Sequence, residues 1–163
     1  MIPRDQTKSA APDVAGPDGL ASTRNTLPIA LLRAREALME RLRPVLHVHD
    51  ITEQQWRVVR ILREERALDA STLAEHACIL APSLTRILKT LEARGIVAME
   101  KDDSDGRRRV VSLTEAGHRL IAEVSPQVRR INSGIEEALG RELMDDLLGK
   151  LDRLLDRLDE DRA

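Results

Sequence analysis

The segment from Lys101 to Gly117 constrains the fold of this chain more than any other. It begins with a polar turn at residues 102–106, continues with three consecutive arginines, and ends in a strand-like run before Thr114. A second strand-like run, at residues 95–99, precedes it. Two such runs joined by a polar turn that contains glycine are typical of a β-hairpin. The segment therefore predicts a hairpin with a charged tip.

Two short helical patterns come directly before this hairpin. The first starts at Asp69 and the second at Pro82, and only residues 78–81 separate them, so the two helices must meet at an angle. Gly95 follows the second pattern in the C-cap position. This arrangement predicts a helix-turn-helix, which the hairpin extends to a winged helix-turn-helix that binds DNA. The apolar positions of the two helices are Leu73, Ala74, Ala77, Leu84, Ile87, Leu88 and Leu91.

Two further helices are predicted before this motif. The first covers about residues 26–46, where apolar residues recur at spacings of three and four, and we expect Pro44 to end or kink it. The second starts at Thr52, which forms a capping box with Gln55, and ends near Arg66. Residues 1–25 are rich in Ala, Pro, Gly and Asp without apolar periodicity, and this composition predicts a disordered tail.

Two helices are also predicted after the hairpin. The first begins at Thr114 and contains Pro126, which predicts a bend. Gly140 separates it from the second, whose leucines are spaced as in a coiled coil. A single helix cannot bury such a stripe, so we expect a homodimer. The stripe consists of Leu143, Leu147, Leu151, Leu154 and Leu158.

The composition agrees with a mainly α fold that carries a small β-hairpin wing. Trp56 is the single aromatic residue, so the core must be aliphatic. The single cysteine, Cys78, excludes an intrachain disulfide. No apolar run reaches the ~18 residues of a membrane span, and the N-terminus lacks an apolar signal segment. We therefore expect a cytoplasmic protein without a membrane partner.

The charge distribution favours a nucleic-acid partner. The whole chain has a net charge of −2. Residues 83–109 carry seven Lys/Arg and five Asp/Glu, a net of +2, whereas residues 136–163 carry five and ten, a net of −5. Such an asymmetry suggests a basic face for double-stranded DNA and an acidic remainder.

The residues predicted to bind DNA lie on the helix-turn-helix and the hairpin. The second helix presents hydroxyls and two cations away from its apolar stripe, and arginine suits bidentate contact with guanine. In the hairpin, Asp105 would hold Arg107 by a charge-assisted hydrogen bond, so that the guanidinium enters a minor groove. The full predicted set is Ser71, Thr72, Pro82, Ser83, Thr85, Arg86, Lys89, Asp105, Arg107 and Arg109.

These motifs resemble the MarR family of bacterial regulators over about residues 26–160. The resemblance rests on residues 52–59, 73–75, 82–86 and 91–97, and on the wing motif Asp102-x-x-Asp105-x-Arg107 with its Leu-Thr-Glu-x-Gly ending at residues 113–117. Residues 29–37 and 77–85 are similar to a narrower group, the repressors of homoprotocatechuate and nicotinate degradation. One departure is Ala81, which stands where the family often has a Ser or Thr helix cap.

The resemblance implies a fold, a function and an effector. It implies a winged helix-turn-helix at about residues 52–113 and dimerisation helices at about 26–48 and 114–160. The implied function is that of a homodimeric repressor of a catabolic operon. It would bind a palindromic operator, and a small aromatic or pyridine carboxylate would release it.

In this family, effectors often bind between the dimer helices and the DNA-binding lobe. An aromatic carboxylate needs a cation or N–H donors for its charge and a flat apolar wall for its ring. Trp56 is the only side chain able to offer an aromatic wall, and polar residues near the end of the first helix are within reach of the second. The predicted effector-binding residues are Arg43, His47, His49, Trp56 and Arg57.

Three alternatives stay open. Cys78 could make the regulator redox-responsive, although we expect its thiol to be buried. His47 and His49 could bind a metal, although a third ligand is not obvious. The protein could also be an architectural DNA binder without an effector. An enzyme is not expected, because the sequence shows neither a nucleophile paired with a base nor a Gly-rich phosphate loop, and no cofactor or metal is predicted.

Overall fold

The computed structural model describes residues 26–101 and 109–161. The chain separates into two compact units between Arg41 and Leu42. The predicted tail and the hairpin tip, residues 102–108, lie outside the described residues. The elements are α1 (Leu27–Val48), α2 (Glu53–Glu65), β1 (Ala67–Asp69), α3 (Ala70–His76), α4 (Ala81–Ala93), β2 (Val97–Lys101), β3 (Arg109–Leu113), α5 (Glu115–Leu139) and α6 (Arg141–Glu160).

The predicted capping box at the start of α2 is confirmed. The Thr52 N–H donates to Gln55 Oε1 at 2.9 Å, and the Gln55 N–H donates to Thr52 Oγ1 at 3.2 Å. The helix ends at Glu65, because Arg66 adopts a positive φ of 69°. We expected α1 to end near residue 46, shortly after Pro44. Helix α1 continues past Pro44 to Val48.

The helix-turn-helix is confirmed with one correction at the start of its second helix. The carboxylate of Asp69 caps α3 by accepting the N–H groups of Ser71 and Thr72. We expected α4 to begin at Pro82, with Ala81 in the cap position. Instead, Ala81 is the first helical residue and Leu80 is the N-cap, because the carbonyl of Leu80 already accepts the first intrahelical bond, from the Leu84 N–H at 3.0 Å.

The hairpin belongs to a three-stranded antiparallel sheet with the order β1-β3-β2. The predicted pairing of β2 with β3 is confirmed, with Met99 opposite Val111. Strand β1 was not predicted. It is three residues long, which is too short to show an alternating pattern, and it forms because Leu68 lies opposite Val111 on the free edge of β3.

The start of α5 packs against the turn that follows α4. Thr114 caps α5 by accepting the Gly117 N–H, and its own N–H donates to the Ile96 carbonyl at 3.1 Å. A Cβ atom at Gly117 would lie 2.4 Å from that same carbonyl oxygen. Glycine is therefore required for this close approach. Helix α5 then includes Pro126 and runs without a break to Leu139, and Gly140, with a φ of 78°, separates it from α6.

The core is aliphatic, as predicted. Its largest fully buried side chains are all leucine or valine, and they come from α2, α3, α4, α5, β2, β3 and the end of α1. Helix α6 is different, because none of its residues is buried. No helix in the described part of the chain is long and apolar enough to cross a membrane.

Candidate nucleic-acid interface and ligand cleft

Helix α4 has one apolar face and one polar face. Its buried side chains are Leu84, Ile87, Leu88 and Leu91, which pack into the core. The predicted DNA-binding residues Ser83, Thr85, Arg86 and Lys89 are all exposed, and so is Pro82. The structure therefore brings the predicted hydroxyls and cations together on the solvent side of one helix. Such a face can offer hydrogen bonds to base edges and charge to phosphates.

The remaining predicted DNA-binding residues have different surroundings. Ser71 is exposed in the first turn of α3, whereas the Thr72 hydroxyl donates to the Asp69 carboxylate at 2.9 Å and so takes part in the helix cap. Arg109 is exposed at the start of β3. Asp105 and Arg107 lie outside the described residues, so the proposed contact between them stays a prediction.

Arg57 lies against the helix-turn-helix. Its Nη1 donates to the Ala77 carbonyl at 2.7 Å, and Ala77 is the C-cap of α3. The charge-assisted bond satisfies one of the orphan carbonyls at the end of that helix. Arg57 therefore joins α2 to the turn that positions α4.

The other predicted effector residues differ in their contacts and burial. Arg43 forms an ion pair with Glu53, and His47 is exposed at the end of α1. Trp56 is only 7% exposed and belongs to the hydrophobic core. Binding of an effector by this set stays a prediction.

His49 is half-buried and lies against α5. Its Nε2 is 3.4 Å from Gln127 Nε2, and its Nδ1 is 3.8 Å from a carboxylate oxygen of Glu123. The side chain therefore connects the turn after α1 to α5.

An open cleft of about 880 Å³ lies between α2 and α5. None of the five predicted effector residues lines it. Its floor includes the buried Ile121 and Val128, and its polar wall combines three guanidinium groups with an imidazole and a carboxylate. One guanidinium is already paired, because Arg60 Nη2 lies 2.7 Å from Glu64 Oε1. The lining residues are Arg60, Arg63, Glu64, His118, Ile121, Ala122, Ser125, Val128, Arg129 and Asn132.

Sequence reasoning missed the arginines of this cleft. A signal was available, because Arg60 and Arg63 are three residues apart on α2 and therefore share a face of that helix. On α5, His118 and Arg129 are eleven residues apart, which is close to three full turns. Cations at these spacings, beside apolar positions, can hold an anionic ligand over an apolar surface.

The alternatives of a redox sensor and a metal sensor concern Cys78 and the pair His47 and His49, all of which the structure describes. We expected the Cys78 thiol to be buried, but Cys78 is exposed. The turn buries the neighbouring Ala77 and Ile79 instead, and Cys78 takes a positive φ of 49° between them. Within residues 26–101 and 109–161, no group of three or more His, Cys, Asp or Glu side chains is arranged to hold a metal ion.

Comparison with known proteins places this chain among transcriptional regulators. The MarR family profile matches residues 51–108. The HTH-type transcriptional regulator FarR of Neisseria gonorrhoeae is 46% identical over 136 residues, which are 82% of this chain and 93% of that protein. The homoprotocatechuate degradative operon repressor of Escherichia coli is 42% identical over 131 residues, 80% of this chain and 88% of that protein.

A known structure shares both sequence and fold. The crystal structure of NadR in complex with 4-hydroxyphenylacetate is 45% identical, covers 81% of this chain and 96% of NadR, and has a TM-score of 0.70. These relatives are regulators and not enzymes, and the resemblance to the homoprotocatechuate repressor group is confirmed. The chain belongs to the MarR family of winged-helix transcriptional regulators, which bind DNA.

Proposed function

We propose that this protein is a homodimeric repressor of a catabolic operon, and that a small aromatic or pyridine carboxylate releases it from a palindromic operator in the cytoplasm. The observation that carries the proposal is the cation-lined cleft between α2 and α5, in a chain with a helix-turn-helix. Relatives support the ligand class. One is named as the repressor of the homoprotocatechuate degradative operon, and NadR was crystallised with 4-hydroxyphenylacetate.

The exposed face of α4 supports operator recognition. In helix-turn-helix proteins the second helix lies in the major groove, and its first residues contact base edges. Arg86 and Lys89 supply charge for guanine or phosphate, and Ser83 and Thr85 supply short hydroxyls. Arg109 would add a phosphate contact from the wing. We propose residues 52–113 as the DNA-binding region on this basis.

The leucines of α6 support a dimer. Five of them are exposed although they lie on an amphipathic helix, and the first compact unit exposes four more on α1. Burying the exposed half of one leucine contributes about 1 kcal/mol, so a second copy of the chain would gain several kcal/mol by covering one stripe. A two-fold dimer would also match a palindrome with half-sites about 10 bp apart. The exposed leucines are Leu27, Leu31, Leu32, Leu38, Leu143, Leu147, Leu148, Leu155 and Leu158.

The cleft suggests how an effector would act. Its carboxylate would pair with Arg63 or Arg129, and its ring would lie on Ile121 and Val128. Helix α2 lines the cleft and, through Arg57, also holds the turn before α4. A ligand that binds better to one spacing of α2 and α5 than to another would therefore shift the position of α4.

A gel shift on DNA from upstream of the protein's own gene tests the proposal. We expect one discrete complex, which hydroxylated benzoates, phenylacetates or pyridine carboxylates dissociate. Arg129→Gln should raise the acid concentration needed for release and leave operator affinity unchanged. The matched control is Arg130→Gln, which changes the neighbouring arginine outside the cleft and should respond like the native protein.

Two results would contradict the proposal. Equal binding to all DNA sequences would indicate an architectural protein. A discrete complex that no aromatic acid dissociates would remove the effector from the account, and a test with peroxide or metal ions would then decide between the remaining alternatives.

A further inference from the structure

We propose that Leu80 is a specificity-determining residue that contacts the 5-methyl group of a thymine in the major groove. This inference rests on the proposed operator binding and adds a base preference to it. Leu80 is 80% exposed, the highest value among the exposed large hydrophobic side chains of the described residues. An isolated exposed leucine is ordinary on a protein surface, but the backbone holds this one at a defined place.

Leu80 has a fixed position at the N-terminal end of α4. It is the N-cap residue, with φ −61° and ψ 136°, and its carbonyl accepts the Leu84 N–H at 3.0 Å. Both Ile79 before it and Leu84 after it are buried in the core. The exposed side chain therefore projects from a well-anchored backbone. It does so at the helix end that reaches the base edges in helix-turn-helix complexes.

Leucine is also an unfavourable residue for a helix cap. Caps are normally Ser, Thr, Asp or Asn, whose side-chain oxygen accepts an N–H of the first turn. Helices α2, α3 and α5 follow this rule with Thr52, Asp69 and Thr114. Helix α4 has no side-chain cap hydrogen bond. Gly140, the N-cap of α6, also makes no side-chain cap bond, because glycine has no side chain. Leu80 is thus the N-cap that places an apolar side chain where an acceptor normally stands, at the start of the helix proposed to face DNA.

DNA could cover the exposed Leu80 side chain and could also supply the missing acceptor at the start of α4. A phosphate can accept the free N–H groups of the first turn, and a thymine methyl can cover an aliphatic side chain. The next two residues, Ala81 and Pro82, are exposed as well, and neither side chain carries a hydrogen-bond donor or acceptor. At this point the turn has only apolar side chains to present, and the thymine methyl is the apolar group that the major groove displays.

Deoxyuridine substitution tests this contact, because it removes the methyl group and leaves every hydrogen-bonding edge unchanged. The native protein would first select duplexes from a randomised pool. Each dT of a selected duplex would then be replaced by dU, one at a time. We expect one position in each half-site at which dU weakens the native protein about fourfold, as for loss of one buried methyl group. Leu80→Ala should bind the dT and dU duplexes equally at that position.

Two further variants keep the test decisive. Val48→Ala removes another exposed aliphatic side chain, one that is 76% exposed at the end of α1, and should retain full sensitivity to dU. Leu80→Met keeps an apolar side chain and should also retain it. Circular dichroism of Leu80→Ala should show native helix content.

The possible failures are distinguishable. If the native protein selects a discrete duplex but no dU position separates it from Leu80→Ala, the inference is overturned and the operator-binding function stands. Leu80 would then serve a protein contact or none. If no discrete duplex is selected at all, the proposed function fails, and the inference fails with it.

Discussion

Gly117 is the one glycine of the described residues at which an added Cβ would meet another atom within 4 Å, so Gly117→Ala is the most direct test of its packing. An ideal Cβ at this position would lie 2.4 Å from the Ile96 carbonyl oxygen and 3.0 Å from Leu113 Cδ2. The carbonyl cannot move away freely, because it accepts the Thr114 N–H at 3.1 Å and also shares the Thr114 hydroxyl, which is 3.1 Å from it and 2.5 Å from the Gly95 carbonyl. The added methyl group can therefore be accommodated only if α5 moves away from the turn after α4.

The expected cost follows from these contacts. Overpacking costs about 1–3 kcal/mol, and weakening the two hydrogen bonds to the carbonyl adds about 1–2 kcal/mol. The higher helix propensity of alanine returns at most about 1 kcal/mol. We expect Gly117→Ala to lower the free energy of unfolding by about 2–3 kcal/mol.

Urea unfolding followed by circular dichroism, at one fixed protein concentration, measures this difference. The control is Gly134→Ala, because Gly134 lies in the same helix and a Cβ there would meet no atom of the chain within 4 Å. That variant should be as stable as the native protein or more stable by up to about 1 kcal/mol. Native stability for Gly117→Ala would show that the close approach to Ile96 is not tight, and our explanation of the glycine would be wrong.

Four other predictions concern the cap, the turn and the DNA face. Thr52→Ala removes the capping box and should cost about 1 kcal/mol in urea unfolding; an unchanged midpoint would contradict this. Arg57→Met loses the bond to the α3 C-cap and should weaken operator binding in a gel shift with helix content retained; native affinity would refute the supporting role. Arg86→Ala should cost about 1–3 kcal/mol and relax base preference, whereas an equal loss on all sequences would assign it to phosphate. Cys78→Ser should keep operator affinity and release by acid in the same assay, and loss of release would show that the thiol takes part in the response to the acid.

The sequence predicted those parts of the fold that depend on short-range chemistry. The capping box at Thr52 and the cap at Thr114 need only a hydroxyl at the correct spacing, and both are present. Gly95 was expected after α4 and adopts a positive φ of 66°. Strand β1 could not be predicted in this way, because its three residues are held by β3, which is over 40 residues away in sequence.

The candidate site was harder to predict, because it depends on which helices lie side by side. The exposed face of α4 follows from its own periodicity, so Ser83 and Arg86 could be named. The cleft could be predicted only by knowing that α2 packs beside α5. The sequence does not show this, because lining residues such as Arg60 and Arg129 are 69 positions apart. Leu80 was missed for another reason. The sequence placed the cap at Ala81, one residue too late, so the exposed leucine appeared to belong to the turn.

The measurement that tests the account most directly is the release of a labelled operator duplex by aromatic acids, followed by fluorescence anisotropy. We expect the native protein to dissociate over a defined range of acid concentration. Arg129→Gln should need about tenfold more acid, as for loss of one hydrogen bond to a charged group at the lower end of its usual range, and Arg130→Gln should match the native protein. Anisotropy that stays constant with every acid, or equal release of all three proteins, would contradict an effector site between α2 and α5.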